Sequence, residues 1–149
     1  VNKVTCRSSG PQRGDVIVFD PPFESEYPFI KRIIGLPGDI VEIRDGEVSI
    51  NGTALQEDEY IEDQPNYTMP AIEIPENEYF VLGDNRNNSN DSHSHWTVPR
   101  DHIIGKAWFI YWPPSEWGVV KHYSYPDLEL DGAGEQEMVV SYSFGAQLG

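Results

Sequence analysis

The chain has little of three things that define large classes of proteins: cysteine, basic residues and long apolar runs. A single cysteine, Cys6, excludes an internal disulfide. Ten Lys and Arg against 25 Asp and Glu give a formal net charge of −15. This charge argues against a nucleic-acid-binding protein, because phosphates need a basic partner surface. No run approaches the roughly 20 apolar residues that cross a bilayer, and the first residues carry no signal-peptide pattern.

What the chain does have is enough apolar material for a packed core. Hydrophobic residues make up 38% of it and aromatic residues 12%, which excludes a disordered chain. Twelve Pro and thirteen Gly break the sequence into short pieces and leave little room for long helices. We therefore expect a mainly β fold, with one domain or one core carrying a small insertion.

Several segments have the alternation and the boundaries that are typical of strands. The clearest is a hairpin, 41–44 and 47–50, around Asp45-Gly46, a pair that favours a type I′ turn. Asn51-Gly52 predicts a further turn of this kind. The remaining predicted strands are Asp15 to Phe19, Phe29 to Ile34, Glu78 to Leu82, Ile103 to Trp112 and an edge strand at Met138 to Phe144.

Two polar stretches are predicted to be loops. Residues 56–70 are acidic and rich in turn formers, so we expect them to be exposed. Residues 83–95 are dense in short polar side chains, which hydrogen-bond their own backbone and hold irregular turns rigid. A calcium-binding interpretation of this second loop fails, since either Arg86 or Trp96 would occupy a ligand position, depending on where the motif starts.

Lys31 is the unusual residue of the sequence. It lies in the apolar run 29–34, where strand alternation sends Lys31 and Arg32 to opposite faces. One of the two cations must therefore point toward the protein interior, where the apolar neighbours are buried. A lysine in apolar surroundings has a lowered pKa and can act as a general base near neutral pH. The alternative is an edge-strand lysine whose ammonium reaches water.

Two short motifs suggest functions that we consider weaker. Asp91, His93 and His95 form a D-x-H-x-H string, which on an extended segment would face one way and resemble half a metal site. No nearby Cys or further His completes it, so we expect neither a metal nor a cofactor and keep a metal-binding β module as an alternative. Arg13-Gly14-Asp15 spells a cell-adhesion tripeptide, but it enters a predicted strand, and chance occurrence explains it better.

Three segments, in order, resemble the signature boxes of the type I signal peptidases, the Ser/Lys proteases that remove signal peptides from exported proteins. They are R-G-D-V-I-V-F at 13–19, K-R-I-I-G-L-P-G-D at 31–39 and G-D-N-R-N-N-S-N-D-S at 83–92. One box would be weak evidence, whereas three with agreeing spacing are specific. The resemblance covers about residues 1 to 113. His93 stands where the family usually has arginine, which is typical of its cyanobacterial and plastid members.

The resemblance implies a fold, a division of the chain and a set of site residues. The fold is an antiparallel catalytic β-core at 1–40 and 79–125, with a small inserted hairpin subdomain at 41–78; the tail at 126–149 is not covered. Lys31 would be the base of a Ser-Lys dyad, positioned by Ser89. Four further residues would support the site: Asp84, Arg86, Asp91 and His93. Three would line a pocket for Ala-like side chains: Phe29, Ile30 and Val18.

The resemblance also implies what these residues lack. The family's nucleophile lies in an S-M-x-P box upstream of Val1, with donors of the oxyanion hole, and the sequence contains no Ser-Met pair. We therefore expect a domain truncated before its catalytic serine, soluble and inactive alone. In the parent protein it would act from a membrane anchor on signal peptides, in the periplasm or the thylakoid lumen. The alternative is a non-catalytic relative that binds extended peptides.

Overall fold

Short β-strands make up nearly all regular structure in the part of the chain that the computed structural model describes, residues 10–107, 109–110, 118–119, 125 and 147–148. The only helical segments there are two short 3₁₀ turns, Ser92–Ser94 and Arg100–His102, and no helix among these residues is long and apolar enough to cross a membrane. The strands are β1 Val16–Phe19, β2 Phe29–Gly35, β3 Ile40–Arg44, β4 Glu47–Ile50, β5 Thr53–Ala54, β6 Met69–Glu73, β7 Glu78–Leu82, β8 Val98–Pro99, β9 Ile103–Lys106, β10 Phe109–Ile110, β11 Gly118–Val119 and β12 Gln147–Leu148.

The strands form two main sheets and a small ribbon. The first sheet has the order β8-β7-β2-β1-β9 in antiparallel pairs, and β12 adds to β2 in parallel. The second sheet, β5-β4-β3-β6, is antiparallel and lies between residues 40 and 73. β10 and β11 pair with each other. The prediction of a mainly β, antiparallel fold is confirmed.

The Asp45-Gly46 hairpin forms where it was predicted. β3 and β4 pair with Arg44 opposite Glu47, and the two turn residues have φ values of 54° and 79°. A type I′ turn requires positive φ at both central residues, which is why Gly at the second position suits it. Local turn chemistry therefore fixes the register of this hairpin.

The two main sheets share one apolar core. Its members come from both sheets, so the hairpin segment packs directly onto the sheet that carries Lys31. The second sheet contributes Val41, Ile43, Val48, Ile50 and Met69, and the first contributes Ile34, Phe80 and Leu82, with Ile74 from the connection between them.

Gly35, in the second signature box, lies at the contact between the two sheets. A Cβ at this position would lie 2.8 Å from Val41 Cγ2 and 3.0 Å from Phe80 Cβ, and both neighbours are fully buried. We expect Gly35→Ala to lower the free energy of unfolding by about 1–3 kcal/mol through overpacking, as measured by urea denaturation. Gly38→Ala is the comparison without a clash, because a Cβ at Gly38 would meet nothing within 4 Å. Any loss of stability in that variant comes from the positive φ of Gly38. An unchanged midpoint for Gly35→Ala would contradict this account.

The predicted long strand from Ile103 to Trp112 is wrong in part. β9 ends at Lys106, and Phe109–Ile110 belongs to the ribbon with β11. Lys106 interrupts the apolar alternation and pairs with Asp15 at 3.1 Å, which ties this end of β9 to the start of β1. Trp108 and Trp112 lie outside the described residues, as does the predicted edge strand at 138–144.

The predicted exposed loop at 56–70 is also wrong in part. Glu57 and Ile61 are buried, and Met69 begins β6, a strand that the sequence analysis missed. The acidic composition concealed the burial of Glu57, which is possible because Glu57 is paired with a buried arginine at 2.7 Å. The rest of the stretch is mostly exposed.

The Arg13-Gly14-Asp15 tripeptide is buried rather than displayed. Arg13 is 9% exposed and Asp15 is 5% exposed. The Arg13 guanidinium bonds Asp39 at 2.5 Å and donates to the Ile34 carbonyl at 3.1 Å. The tripeptide therefore ties the start of β1 to the end of β2 and is not presented as an adhesion motif.

Candidate active site

Lys31 is buried on β2, on the face that it shares with Phe29. It lies opposite Ile17 of β1 and is 3% exposed, and its Nζ lies 5.6 Å from the centroid of the Phe29 ring. Burial lowers the pKa of Lys31 to about 8, while the charges of Asp91 and Asp84 act in the opposite direction. A substantial fraction of a group with such a pKa is neutral near physiological pH.

Arg32, the neighbouring cation, is buried as well, so the structure buries both cations and not only one. It is 3% exposed, and its Nε and Nη2 donate to the two oxygens of Asp84, each at 2.9 Å. Its Nη1 donates to the Gly14 carbonyl at 2.9 Å, and the guanidinium lies 4.2 Å from the centroid of the Tyr60 ring. A bidentate, stacked guanidinium can be buried because its donors are satisfied.

Residues 83–95, which we name the Ser89 loop, are held together by Asp91. Its side chain is fully buried, and one oxygen accepts from the Gly83 N–H at 3.0 Å. The other oxygen accepts from the His93 N–H at 3.1 Å and contacts His93 Nδ1. Ser92 adds a further tie, since its Oγ accepts from the Val81 N–H at 2.9 Å. The loop is thus fastened to the end of β7.

Ser89 lies on this loop with its hydroxyl turned away from water. Its Oγ is buried and has no hydrogen-bond partner among the described residues. Burying an unpaired hydroxyl costs about 1–3 kcal/mol, so such a group calls for a functional or structural reason. Because Leu82 lies opposite Arg32 in the pair of β2 and β7, the loop that follows Leu82 and carries Ser89 begins beside Lys31. The charges of Asp84 and Asp91 in this loop also act on the pKa of that lysine.

Arg86 anchors the same loop to a residue that the sequence analysis missed. Arg86 is 1% exposed, and its two terminal nitrogens donate to the two oxygens of Glu57 at 2.7 Å each. Its Nε donates to the Gly83 carbonyl at 2.9 Å. The sequence signal for Glu57 was weak: bulky Tyr60 and Ile61 follow it within an otherwise acidic stretch.

The three predicted pocket walls do not lie on one face of the sheet. Val18 and Ile30 are directly opposite each other and pack together. Phe29 packs on the other face, the one of Lys31, where its ring lies 5.7 Å from that of Phe23 and 6.4 Å from that of Trp96. Strand alternation is the reason, because successive residues of β2 point to opposite faces.

At the start of β2, the backbone edge on the side away from β1 pairs with an extended segment of the chain. β1 pairs with residues 29–32 on one side of β2, whereas β7 pairs only from Arg32 onward on the other. β12 adds to β2 in parallel, with Gln147 opposite Phe29 and Leu148 opposite Ile30. Main-chain pairing of this kind is a common way to bind extended peptides.

The D-x-H-x-H string does not form a metal site among the described residues, which contain no group of three or more His, Cys, Asp or Glu suited to a metal ion. The segment is not extended, since Ser92–Ser94 is a 3₁₀ turn and His95 has a φ of 72°. His93 contacts Asp91 and stacks on Tyr67, with ring centroids 4.1 Å apart.

Fold and site together define a mainly β protein in which a buried lysine lies beside a serine-bearing loop held by a buried carboxylate. The family model for signal peptidase, peptidase S26, matches residues 1–112. The chain therefore belongs to the signal peptidase family, as its three boxes predicted.

Individual relatives agree with the predicted cyanobacterial or plastid branch, which is confirmed. The chain is 45% identical over 132 residues to the probable signal peptidase I-1 of Synechocystis sp., with 84% of this chain and 67% of that protein covered. It is 40% identical over 124 residues to the chloroplastic thylakoidal processing peptidase 1 of Arabidopsis thaliana, with 76% and 36% covered. The chain thus spans about two thirds or less of these curated relatives. A crystal structure of a signal peptidase I from Enterococcus faecalis matches 66% of this chain and 97% of that one, with a TM-score of 0.54 and 36% identity.

Proposed function

We propose that the chain forms the catalytic domain of a type I signal peptidase in which Lys31 is the general base. The observation that carries the proposal is a lysine 3% exposed on an apolar face, with its pKa lowered by burial to about 8. Neutral Lys31 would take the proton of a serine hydroxyl, whose oxygen then attacks the scissile carbonyl. Ser89, on the adjacent loop, would orient the Lys31 amine through its buried hydroxyl.

In this proposal the serine nucleophile comes from outside the 149 residues, since none of them matches the S-M-x-P box. The 149-residue chain alone is then inactive. The full-length product of the gene, which contains this chain and which we call the gene-encoded protein, cleaves signal peptides after Ala-x-Ala-like sites. It does so at a membrane surface, on the periplasmic or thylakoid-lumen side. Its partners are exported preproteins, not nucleic acid. The test is cleavage of an Ala-x-Ala peptide by the gene-encoded protein, with the 149-residue chain as the comparison; a protein that leaves the peptide intact would refute the proposal.

The substrate would bind as an extended strand along the start of β2. The support for this is the edge beside Phe29 and Ile30, which β12 takes up in parallel. The same edge favours a second candidate function, a non-catalytic relative that binds extended peptides. The two differ in one measurement: a binding protein retains the Ala-x-Ala peptide uncut, whereas a peptidase releases the two products.

We expect kcat/KM of the gene-encoded protein to rise with pH and to reach half its maximum near pH 8. Only neutral Lys31 can accept a proton, and burial sets its pKa at about 8. Below that pH the lysine is protonated, so the rate falls by about tenfold per pH unit. In the 149-residue chain, an NMR titration of the Lys31 Cε resonance should give the same midpoint. A midpoint near the ordinary lysine value of 10.5 would contradict the assignment.

A further inference from the structure

Residues 57–67, which we name the clamp segment, hold the Ser89 loop at its beginning. Glu57 and Arg86 form a bidentate pair at 2.7 Å, with side chains 5% and 0% exposed. Arg86 in turn donates to the Gly83 carbonyl at 2.9 Å. The Tyr60 hydroxyl donates to Glu57 Oε1 at 2.9 Å, and burial followed by the nearby Glu57 charge raises the pKa of Tyr60 so that it remains a donor.

The other end of the clamp segment contacts the middle of the Ser89 loop. The Asn66 N–H donates to Asn87 Oδ1 at 2.8 Å, and Asn87 Nδ2 donates to the Gln64 carbonyl at 3.0 Å. These contacts lie two residues from Ser89 in the sequence. The stacking of His93 on Tyr67, with centroids 4.1 Å apart, adds a third point of contact.

The arrangement of these contacts indicates positioning more than stability. A buried ion pair often contributes little net stability compared with an apolar pair of the same size, whereas its bidentate geometry defines position. Glu57 fixes the guanidinium that bonds Gly83, and Gly83 is also bonded by Asp91 at 3.0 Å. Through Arg86, the clamp segment therefore fixes Gly83, the residue at which Asp91 also holds the start of the Ser89 loop. It lies outside all three signature boxes.

We propose that the clamp segment sets the position of the Ser89 loop against Lys31, and that Glu57 is a positioning residue for the reaction. The inference rests on the proposed function of Lys31. It also names a role for the hairpin-and-loop segment at 41–78, which the boxes leave without one. Glu57 acts through Arg86 and Gly83 and touches neither substrate nor reacting atoms.

The test compares Glu57→Gln with Glu59→Gln in the gene-encoded protein. Glu57→Gln keeps size and one acceptor oxygen but removes the charge that holds Arg86. We expect kcat to fall by about 10- to 100-fold, with KM changed little, because misplacement of a catalytic group by about 1 Å has effects of this size. Glu59 is an exposed carboxylate of the same segment, and Glu59→Gln should leave kcat unchanged.

A second readout does not depend on activity. In the 149-residue chain, amide hydrogen exchange at Gly83 and His93, the two N–H groups held by Asp91, should be faster in Glu57→Gln than in Glu59→Gln. Should Glu57→Gln fail to fold, Asn87→Ala instead removes the hydrogen bonds that join the Ser89 loop to Gln64 and Asn66, and it should lower kcat several-fold. A normal kcat in a folded Glu57→Gln or Asn87→Ala protein overturns the inference, and so do equal exchange rates at Gly83 and His93 in Glu57→Gln and Glu59→Gln. An active Lys31→Met protein overturns the proposed function instead, which keeps the two failures distinguishable.

Discussion

Lys31→Met is expected to lower kcat/KM of the gene-encoded protein by about 10³-fold or more, the largest loss of activity that we predict. Methionine fills a similar volume in the apolar surroundings of β2 but cannot accept a proton. The loss should fall on kcat, because Lys31 acts on the proton of the nucleophile and contributes little to substrate binding. The measurement is steady-state cleavage of an Ala-x-Ala peptide.

Lys106→Met is the matched control for this substitution. Lys106 is also largely buried, at 14% side-chain exposure, but it pairs with Asp15 at 3.1 Å on β9. Its removal takes this cation away from the buried Asp15 carboxylate and lowers stability, but the folded protein should keep most of its activity, because Lys106 has no part in the proposed proton transfer. Lys31→Met should fold normally, since burying an ammonium is costly and methionine removes that cost. Residual cleavage in Lys31→Met at the level of Lys106→Met would show that another group is the base.

The features that the sequence could predict are those set by neighbours along the chain. The Asp45-Gly46 turn and the strand over Phe29 to Ile34 each follow from turn chemistry or from alternation within a few residues. Alternation also indicated that one of Lys31 and Arg32 is buried, but it did not choose between them. The three boxes added the family. The local signals were enough for the fold class, whereas the assignment of Lys31 as the candidate base depended on the boxes.

The features that the sequence could not predict are pairings across long separations. Glu57 and Arg86 are 29 residues apart, and apart from Tyr60 and Ile61, which follow it, the sequence near Glu57 does not distinguish it from the exposed carboxylates beside it. Arg32 and Asp84 are 52 residues apart, so alternation placed Arg32 on a face but gave it no partner. The split of Phe29 from Val18 and Ile30 follows from alternation, but a box match treats adjacent positions as one wall.

Arg86→Met is expected to lower the free energy of unfolding of the 149-residue chain by about 3–5 kcal/mol, the largest loss of stability that we predict for one substitution. Arg86 is 1% exposed and bonds both oxygens of Glu57 at 2.7 Å. Its removal leaves the Glu57 carboxylate in a buried position without its cation, and an uncompensated buried charge is strongly destabilising. Urea denaturation followed by tryptophan fluorescence measures the change.

Two further variants separate two contributions to this loss of stability: the unpaired buried charge of Glu57 and the lost contacts of Arg86. Arg44→Met removes an ion pair with Glu42 at 3.3 Å, but Arg44 is 68% exposed, so we expect a loss below about 1 kcal/mol. The double variant Arg86→Met with Glu57→Leu should recover part of the stability that Arg86→Met loses, because neither charge then remains buried. Equal losses for Arg86→Met and Arg44→Met would show that the Glu57 carboxylate reaches water once Arg86 is gone. In that case the clamp segment would be free to move away from the Ser89 loop.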